Sequence, residues 1–307
     1  MDGVRKTAKK IESMRVRGAG NIARTAALAL KTYAVTSRAK TSKEFIKGLK
    51  GAGDILISAR PSAVSLPNAV RFILHRAEES SNLDLLQLKE LVVATADEFI
   101  KDSKNAVKKI GEIGSGRISD GDAILTHCNS QAALSIIKTA FRQGKDIEVF
   151  ATEARPRYQG HITVRELAKE GIPVTLIVDS AVRVFIKDID KVIVGADSIA
   201  VNGAVVNKIG TAQLALIAQE SRTLFFVAAE SYKFHPATVL GELIEIEERD
   251  AKEVANPRDF KGVKIRNPVF DVTPPEYVDL IITERGVMPP QAALTLIKER
   301  FGWAMSL

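Results

Sequence analysis

The 307-residue sequence contains a single cysteine, Cys128, so an intrachain disulfide is excluded and a reducing, cytoplasmic setting is expected. Aromatic residues are scarce at 6%, and no dense Lys/Arg cluster is interleaved with them, which argues against a base-stacking nucleic-acid surface. No apolar run approaches the ~20 residues that span a bilayer. The charged N-terminus, Met1 to Lys10, lacks the apolar core of a secretory leader. The four histidines, His75, His127, His161 and His235, show no metal-ligand spacing, and no metal site is expected.

What is present is an ordinary globular composition, 46% hydrophobic and 26% charged, with a net charge of +7. That excess fits either a solvated basic surface or a multiply phosphorylated small ligand. The first 110 residues read as helices: Val4–Met14, Asn21–Tyr33, Ser42–Ser58, Ala69–Glu78 and Leu83–Ile110, the last with Leu86, Leu91, Ala94 and Phe99 inward. The prolines of Arg60-Pro-Ser-Ala-Val-Ser-Leu-Pro67 interrupt them. Glycines at 111, 114 and 116 suggest a boundary, giving a helical domain over 1–112 and an α/β domain over 113–307.

Beyond that boundary short apolar strands alternate with helices. Strands are expected at Ala123–Thr126, Ile147–Ala151, Val174–Val178, Lys191–Gly195, Leu224–Ala228 and Val278–Thr283. Helices are expected at Gln131–Arg142, Thr163–Glu170, Ala181–Lys187, Thr211–Glu220 and Pro289–Arg300. This pattern predicts a Rossmann-like, doubly wound, mostly parallel sheet covered on both faces. Asn202-Gly203 between apolar runs predicts a hairpin with a type I′ turn. The charged segment 242–267 has no assigned place and reads as an excursion.

Cys128 ends the first strand and faces the start of a helix. There it is either a buried small hydrophobe or a base whose acidity the helix terminus raises. Asp197 follows the strand Lys191–Gly195 in the same way, as a turn former or as an acid opposite Cys128. The loop Asn207-Lys208-Ile-Gly-Thr211 precedes a helix and suits a phosphate or hydroxyl ligand. Gly18-Ala19-Gly20-Asn-Ile-Ala23 has the letters of a dinucleotide fingerprint, but no strand precedes it. With Arg17 it reads more simply as an anion-binding turn. Arg60, Arg155, Arg157 and Lys233 are further cationic candidates, and Asp179 is either structural or a hydroxyl partner.

Several motifs resemble, in order, the family that unites translation initiation factor 2B alpha, beta and delta subunits with methylthioribose-1-phosphate isomerase. They are Arg17-Gly-Ala-Gly20, Thr126-His-Cys-Asn-Ser130, Glu153-Ala-Arg-Pro156, Gln159-Gly160, Gly195-Ala-Asp197, Asn202-Gly203, Asn207-Lys-Ile-Gly-Thr211 and Ile282-Thr-Glu-Arg285. Arg60-Pro-Ser-Ala-Val-Ser-Leu-Pro-Asn68, Tyr232-Lys-Phe-His-Pro236 and Phe270-Asp-Val-Thr-Pro-Pro-Glu-Tyr277 look most like its archaeal sugar-bisphosphate isomerases. The resemblance implies conversion of α-D-ribose 1,5-bisphosphate to D-ribulose 1,5-bisphosphate in nucleotide salvage, without metal or other cofactor. It implies Cys128 as base, Asp197 as acid, and substrate contacts at Arg17, Gly18, Ala19, Gly20, Arg60, Ser130, Gln131, Ala132, Asn207, Lys208 and Lys233. It also implies AMP as an activator and a homohexamer built as a trimer of dimers. Where methylthioribose enzymes carry Thr-Gly and Glu-Thr-Arg-Pro, this chain has Ser130-Gln131 and Glu153-Ala-Arg-Pro156, which favours the bisphosphate. A regulatory, non-enzymatic role like that of the initiation-factor subunits is the alternative.

Overall fold

The computed structural model describes residues 1–242 and 244–304. The chain divides into two compact units, 1–105 and 106–307. In the first, α1 (Asp2–Glu12), α2 (Ala19–Thr36), α3 (Ser42–Ser58) and α4 (Ser65–Glu79) pack around Ile22, Leu30, Phe45, Leu49, Leu66 and Ile73, all buried. Thr41 caps α3 by accepting from the Glu44 N–H. Helix α4 begins before Pro67 rather than after it, because a proline in the first turn removes no helical hydrogen bond.

The long helix α5 (Leu85–Ser115) runs through the division between units. Its buried positions are Leu88, Val92, Thr95, Ala96, Phe99, Ser103, Ala106, Ile110, Gly111, Gly114 and Ser115. Of the four residues expected inward only Phe99 is buried; Leu86 is 67% exposed, so the face is rotated from the one expected. The division falls at Asn105, not at the glycine cluster. Gly111 and Gly114 lie inside α5, where a Cβ would stand 2.3 Å from the Ser135 hydroxyl and 2.5 Å from Ile136. These glycines permit close packing rather than a break.

The second unit holds β1 (Ala123–Thr126), α6 (Gln131–Arg142), β2 (Glu148–Thr152), α7 (Gly160–Lys169), β3 (Val174–Ile177), α8 (Val182–Phe185) and β4 (Lys191–Gly195). There follow β5 (Ser198–Ile199), β6 (Val205–Lys208), α9 (Thr211–Ser221), β7 (Leu224–Ala228), β8 (Phe270–Thr273), β9 (Leu280–Thr283), β10 (Gly286–Met288) and α10 (Ala293–Phe301). The main sheet has the order β10-β9-β7-β4-β1-β2-β3, parallel except for β10. One apolar cluster, with Leu125, Val192, Phe225 and Ile281, covers one face; another, with Ile124, Ile136, Ile193 and Phe226, covers the other. This is the doubly wound α/β architecture expected, and both-face burial is why the strands read as continuous apolar runs.

A separate antiparallel sheet, β5-β6-β8, carries the hairpin. Its loop differs from the expected type I′ turn. Asn202 is not among the residues with positive φ, and Gly203 (φ 85°) instead follows a turn closed by Gly203 N–H to Ala200 O. Three-residue hairpin loops are built this way. Strands β8 and β10, four and three residues long, are not among the expected strands; the alternation of Phe270-Asp-Val-Thr273 is too short to stand out. The segment 244–267 is tied to itself: Arg249 N–H donates to Asn267 O, and Asn267 Nδ2 donates to Asp250 O. Residue 243, within the unassigned excursion, lies outside the described residues.

Candidate active site

In the main sheet β1 and β4 are neighbours, yet their connections leave in opposite directions along it. Open α/β sheets bind ligands at such a reversal, beyond the carboxyl ends of the strands. Cys128 and Asp197 occupy those two ends. Register Leu125↔Val192, continued, sets Cys128 level with Gly195, two residues before Asp197. The strand ends are pressed together through Ser130. A Cβ on Gly195 would lie 2.3 Å from the Ser130 hydroxyl, so only glycine admits it. Ser130 in turn caps α6, accepting from the Ala133 N–H at 3.3 Å.

Cys128 adopts φ 66°, the left-handed region, which costs a non-glycine residue about 1–2 kcal/mol. Its carbonyl accepts from the Thr163 hydroxyl at 2.7 Å, and Asn129 Nδ2 donates to the same hydroxyl oxygen at 3.0 Å. The residue is partly exposed, but its sulfur is enclosed by protein atoms, and burial pushes the thiol up to about 11. The Lys208 charge and the Asn129 backbone pull it down; Asp197 and Asp179 push it further up. The expected acidifying effect of the helix start is therefore outweighed by desolvation, and the resting sulfur is a thiol.

His127 precedes the cysteine and is buried. Its Nδ1 is 2.5 Å from the Thr152 hydroxyl and its Nε2 2.9 Å from Ile209 O. Burial lowers its pKa, so the ring is neutral, with Nε2–H donating to the carbonyl and Nδ1 accepting. It braces β1 against the loop before α9. Among the described residues no group of three or more His, Cys, Asp or Glu is placed to hold a metal.

Asn207 Nδ2 donates to Thr211 Oγ1, whose hydroxyl donates to Lys208 O. The start of α9 is already taken by a carboxylate: Asp271 Oδ2 accepts from the N–H groups of Gly210 (2.7 Å) and Ala212 (3.2 Å). Burial nevertheless raises Asp271 to about 6, since its Oδ1 is enclosed without a partner. Lys208 stays buried, its ammonium 5.3 Å from the centre of the Phe270 ring. Lys233 is also buried, paired with Glu230 at 2.7 Å; burial pushes the Glu230 carboxyl up, but Lys233 and the Tyr232 hydroxyl bring it below its usual range. Glu284, from the Ile282–Arg285 motif, accepts from the Ser231 N–H at 3.0 Å and so fixes this turn.

The other expected contacts are placed as follows. Gln131 directs its amide to Glu166 at 3.3 Å, and Ala132 is buried. The two oxygens of Asp179 accept from the Ala154 and Arg155 N–H groups. Arg155 and Arg157 reach Val254 O and Glu253, tying 155–157 to the excursion. In the helical unit Arg17 is exposed and donates to Met14 O. Gly18 (φ 81°) opens α2, and Ser65 Oγ donates to Ala19 O at 2.8 Å, joining that turn to the start of α4. Asp271 and Thr163 escaped the sequence reading because their partners lie far along the chain, 61 and 35 residues away.

The model of the initiation factor 2 subunit family matches residues 15–290. The chain belongs to that family. A ribose 1,5-bisphosphate isomerase from Methanocaldococcus jannaschii is 58% identical over 99% of this chain and 97% of its own length. One from Pyrococcus furiosus is 56% identical over 97% and 94%. A methylthioribose-1-phosphate isomerase from Acetivibrio thermocellus is 40% identical over 92% and 87%. Among solved structures of the family, the translation initiation factor eIF-2B of Pyrococcus horikoshii OT3 superposes with a TM-score of 0.82 at 34% identity, covering 95% of this chain and 98% of that one.

Proposed function

We propose that this chain isomerises α-D-ribose 1,5-bisphosphate to D-ribulose 1,5-bisphosphate, with Cys128 as base and Asp197 as acid. The observation that carries the reading is the placement of these two groups at adjacent strand ends, locked together by Ser130 against Gly195. Two relatives more than 55% identical over nearly their whole length bear the name of that isomerase, which supports the substrate.

The cyclic sugar phosphate must open first. Asp197 donates a proton to the ring oxygen as the C1–O bond breaks. Cys128 removes the C2 proton, the electron pair forms a C1–C2 double bond, and Cys128 returns the proton to C1 while the C2 hydroxyl gives its own to the Asp197 carboxylate, leaving the C2 ketone. Because the thiol rests protonated, it must lose its proton before it can act; Lys208 is the cation that favours the thiolate. Substrate contacts are proposed at Ser130–Ala132, Asn207, Lys208 and Lys233 in the α/β unit, and at Arg17–Gly20 and Arg60 in the helical one. AMP activation, a homohexamer and a cytoplasmic location belong to the same reading. Among the described residues no helix is long and apolar enough to cross a membrane.

The test is direct. Cys128→Ser and Asp197→Asn should each lower kcat with ribose 1,5-bisphosphate by at least about 10³-fold while substrate still binds. Wild-type turnover in either variant would refute the assignment. The similarity to eIF-2B favours a second reading, a regulatory subunit. Absence of ribulose bisphosphate in the wild-type assay, together with a stable complex with initiation factor 2, would establish that reading instead.

A further inference from the structure

We infer that Thr163 is a positioning residue for Cys128: its hydroxyl holds the cysteine in the left-handed backbone conformation from which the sulfur serves the site. The inference rests on the proposed role of Cys128 but is read out separately from it. Strained backbone persists only where its surroundings over-determine it. Cys128 has φ 66°, and its carbonyl oxygen is fixed by the fully buried Thr163 hydroxyl at 2.7 Å. The same oxygen of Thr163 accepts from Asn129 Nδ2 at 3.0 Å, so one hydroxyl clamps the cysteine's peptide from both sides.

Thr163 is itself held rigidly. It sits in the first turn of α7, whose first residue, Gly160, lies against β2 so closely that a Cβ would stand 1.8 Å from Thr152 O. Gly160 N–H also donates to Glu153 O at 3.1 Å. Thr152 meanwhile contacts His127, the residue before the cysteine. The end of β2 thus supports the cysteine from two directions, through His127 on the strand side and through α7 and Thr163 on the helix side. Valine at 163 keeps the shape but leaves Cys128 O and Asn129 Nδ2 without their shared partner. The peptide is then released toward ordinary φ, and the sulfur moves.

The sulfur is the chain's single thiol, so alkylation reports on it alone. Iodoacetamide labelling of folded protein between pH 8 and 10.5 would be compared for wild type, Thr163→Ser, Thr163→Val and Thr163→Ala, beside kcat, KM and thermal unfolding. We expect Thr163→Val to label at least about threefold faster at each pH. Its kcat should fall roughly 10- to 100-fold with KM within about threefold, as expected for a displaced reacting group. Thr163→Ser should restore both. A lower melting temperature with wild-type labelling and kcat would overturn the inference, as would failure of serine to restore them. If Thr163→Val does not fold, the serine–alanine pair carries the same comparison. A fully active Cys128→Ser would remove the base assignment; changed labelling in Thr163→Val would still support the clamp.

Discussion

Gly195→Ala tests whether the two strand ends share one packed junction. The added methyl would stand 2.3 Å from Ser130 Oγ and 2.6 Å from Ser130 Cβ. Rotating Ser130 relieves the first contact at the loss of the α6 cap, about 1 kcal/mol. It cannot relieve the second, because Cβ is fixed by the backbone. Either β4 or the start of α6 must shift, which costs roughly 1–3 kcal/mol. Gly195 lies in a strand with ordinary φ, so alanine recovers about 0.4–1 kcal/mol by restricting the unfolded chain. The net loss is about 1–3.5 kcal/mol, a fall in Tm of roughly 2–14 °C for a unit of this size. A shift near 1 Å at a reacting centre also costs about 10²-fold in kcat/KM. Differential scanning calorimetry and steady-state isomerase kinetics read the two effects. Gly3→Ala, where nothing lies within 4 Å, is the control and should be neutral or slightly stabilising. A Gly195→Ala enzyme melting within about 2 °C of wild type, with kcat/KM within threefold, would show that the junction is not packed as argued.

Three further variants probe charged groups held inside the fold. Asp271 is raised to about 6 in the fold, so between its ordinary value and 6 the native state holds a proton that the unfolded chain has lost. Stability therefore falls as pH rises through that window, and Asp271→Asn should lack this loss; urea titrations from pH 4 to 7 that show parallel profiles would contradict it. Lys233→Met leaves Glu230 buried without its cation and should cost about 3–5 kcal/mol, much of it regained in Glu230→Gln/Lys233→Met; a double variant no more stable than the single one would mean the pair is not coupled.

Much of the architecture is visible in the sequence for a physical reason. Strands buried on both faces must be apolar throughout, so β1, β4 and β7 stand out as runs between helices and are placed residue for residue. Strands β8 and β10 are short, and only pairing with β6 and β9 makes them strands at all. The inward face of α5 does not follow from periodicity, because apolar residues occur all around it, Leu86 outside as well as Leu88 inside. The positions of Cys128 and Asp197 beyond two adjacent strand ends are legible because a strand end is a local property. The clamp of Thr163 on Cys128, 35 residues away, is not, and neither is Asp271, which occupies a helix start 61 residues upstream.

The arrangement of β1 and β4 also explains how strain is tolerated where it occurs. At their amino ends the two strands are fastened by a buried pair, Lys191 Nζ to Asp122 Oδ2 at 2.5 Å, and Asp122 accepts from the Ser119 N–H as well. Asp190 adds two bonds to Ala123, one through each of its backbone N–H and side-chain oxygen. None of these groups faces the site. At the carboxyl ends the same strands carry a left-handed cysteine, a carboxylate and a cap held only because residue 195 is glycine. An ion pair this buried gives little net stability, but breaking it is costly, so it fixes the relative position of the two strands. Fixed at one end, the pair can present Cys128 and Asp197 at the other in a geometry that neither strand would hold alone.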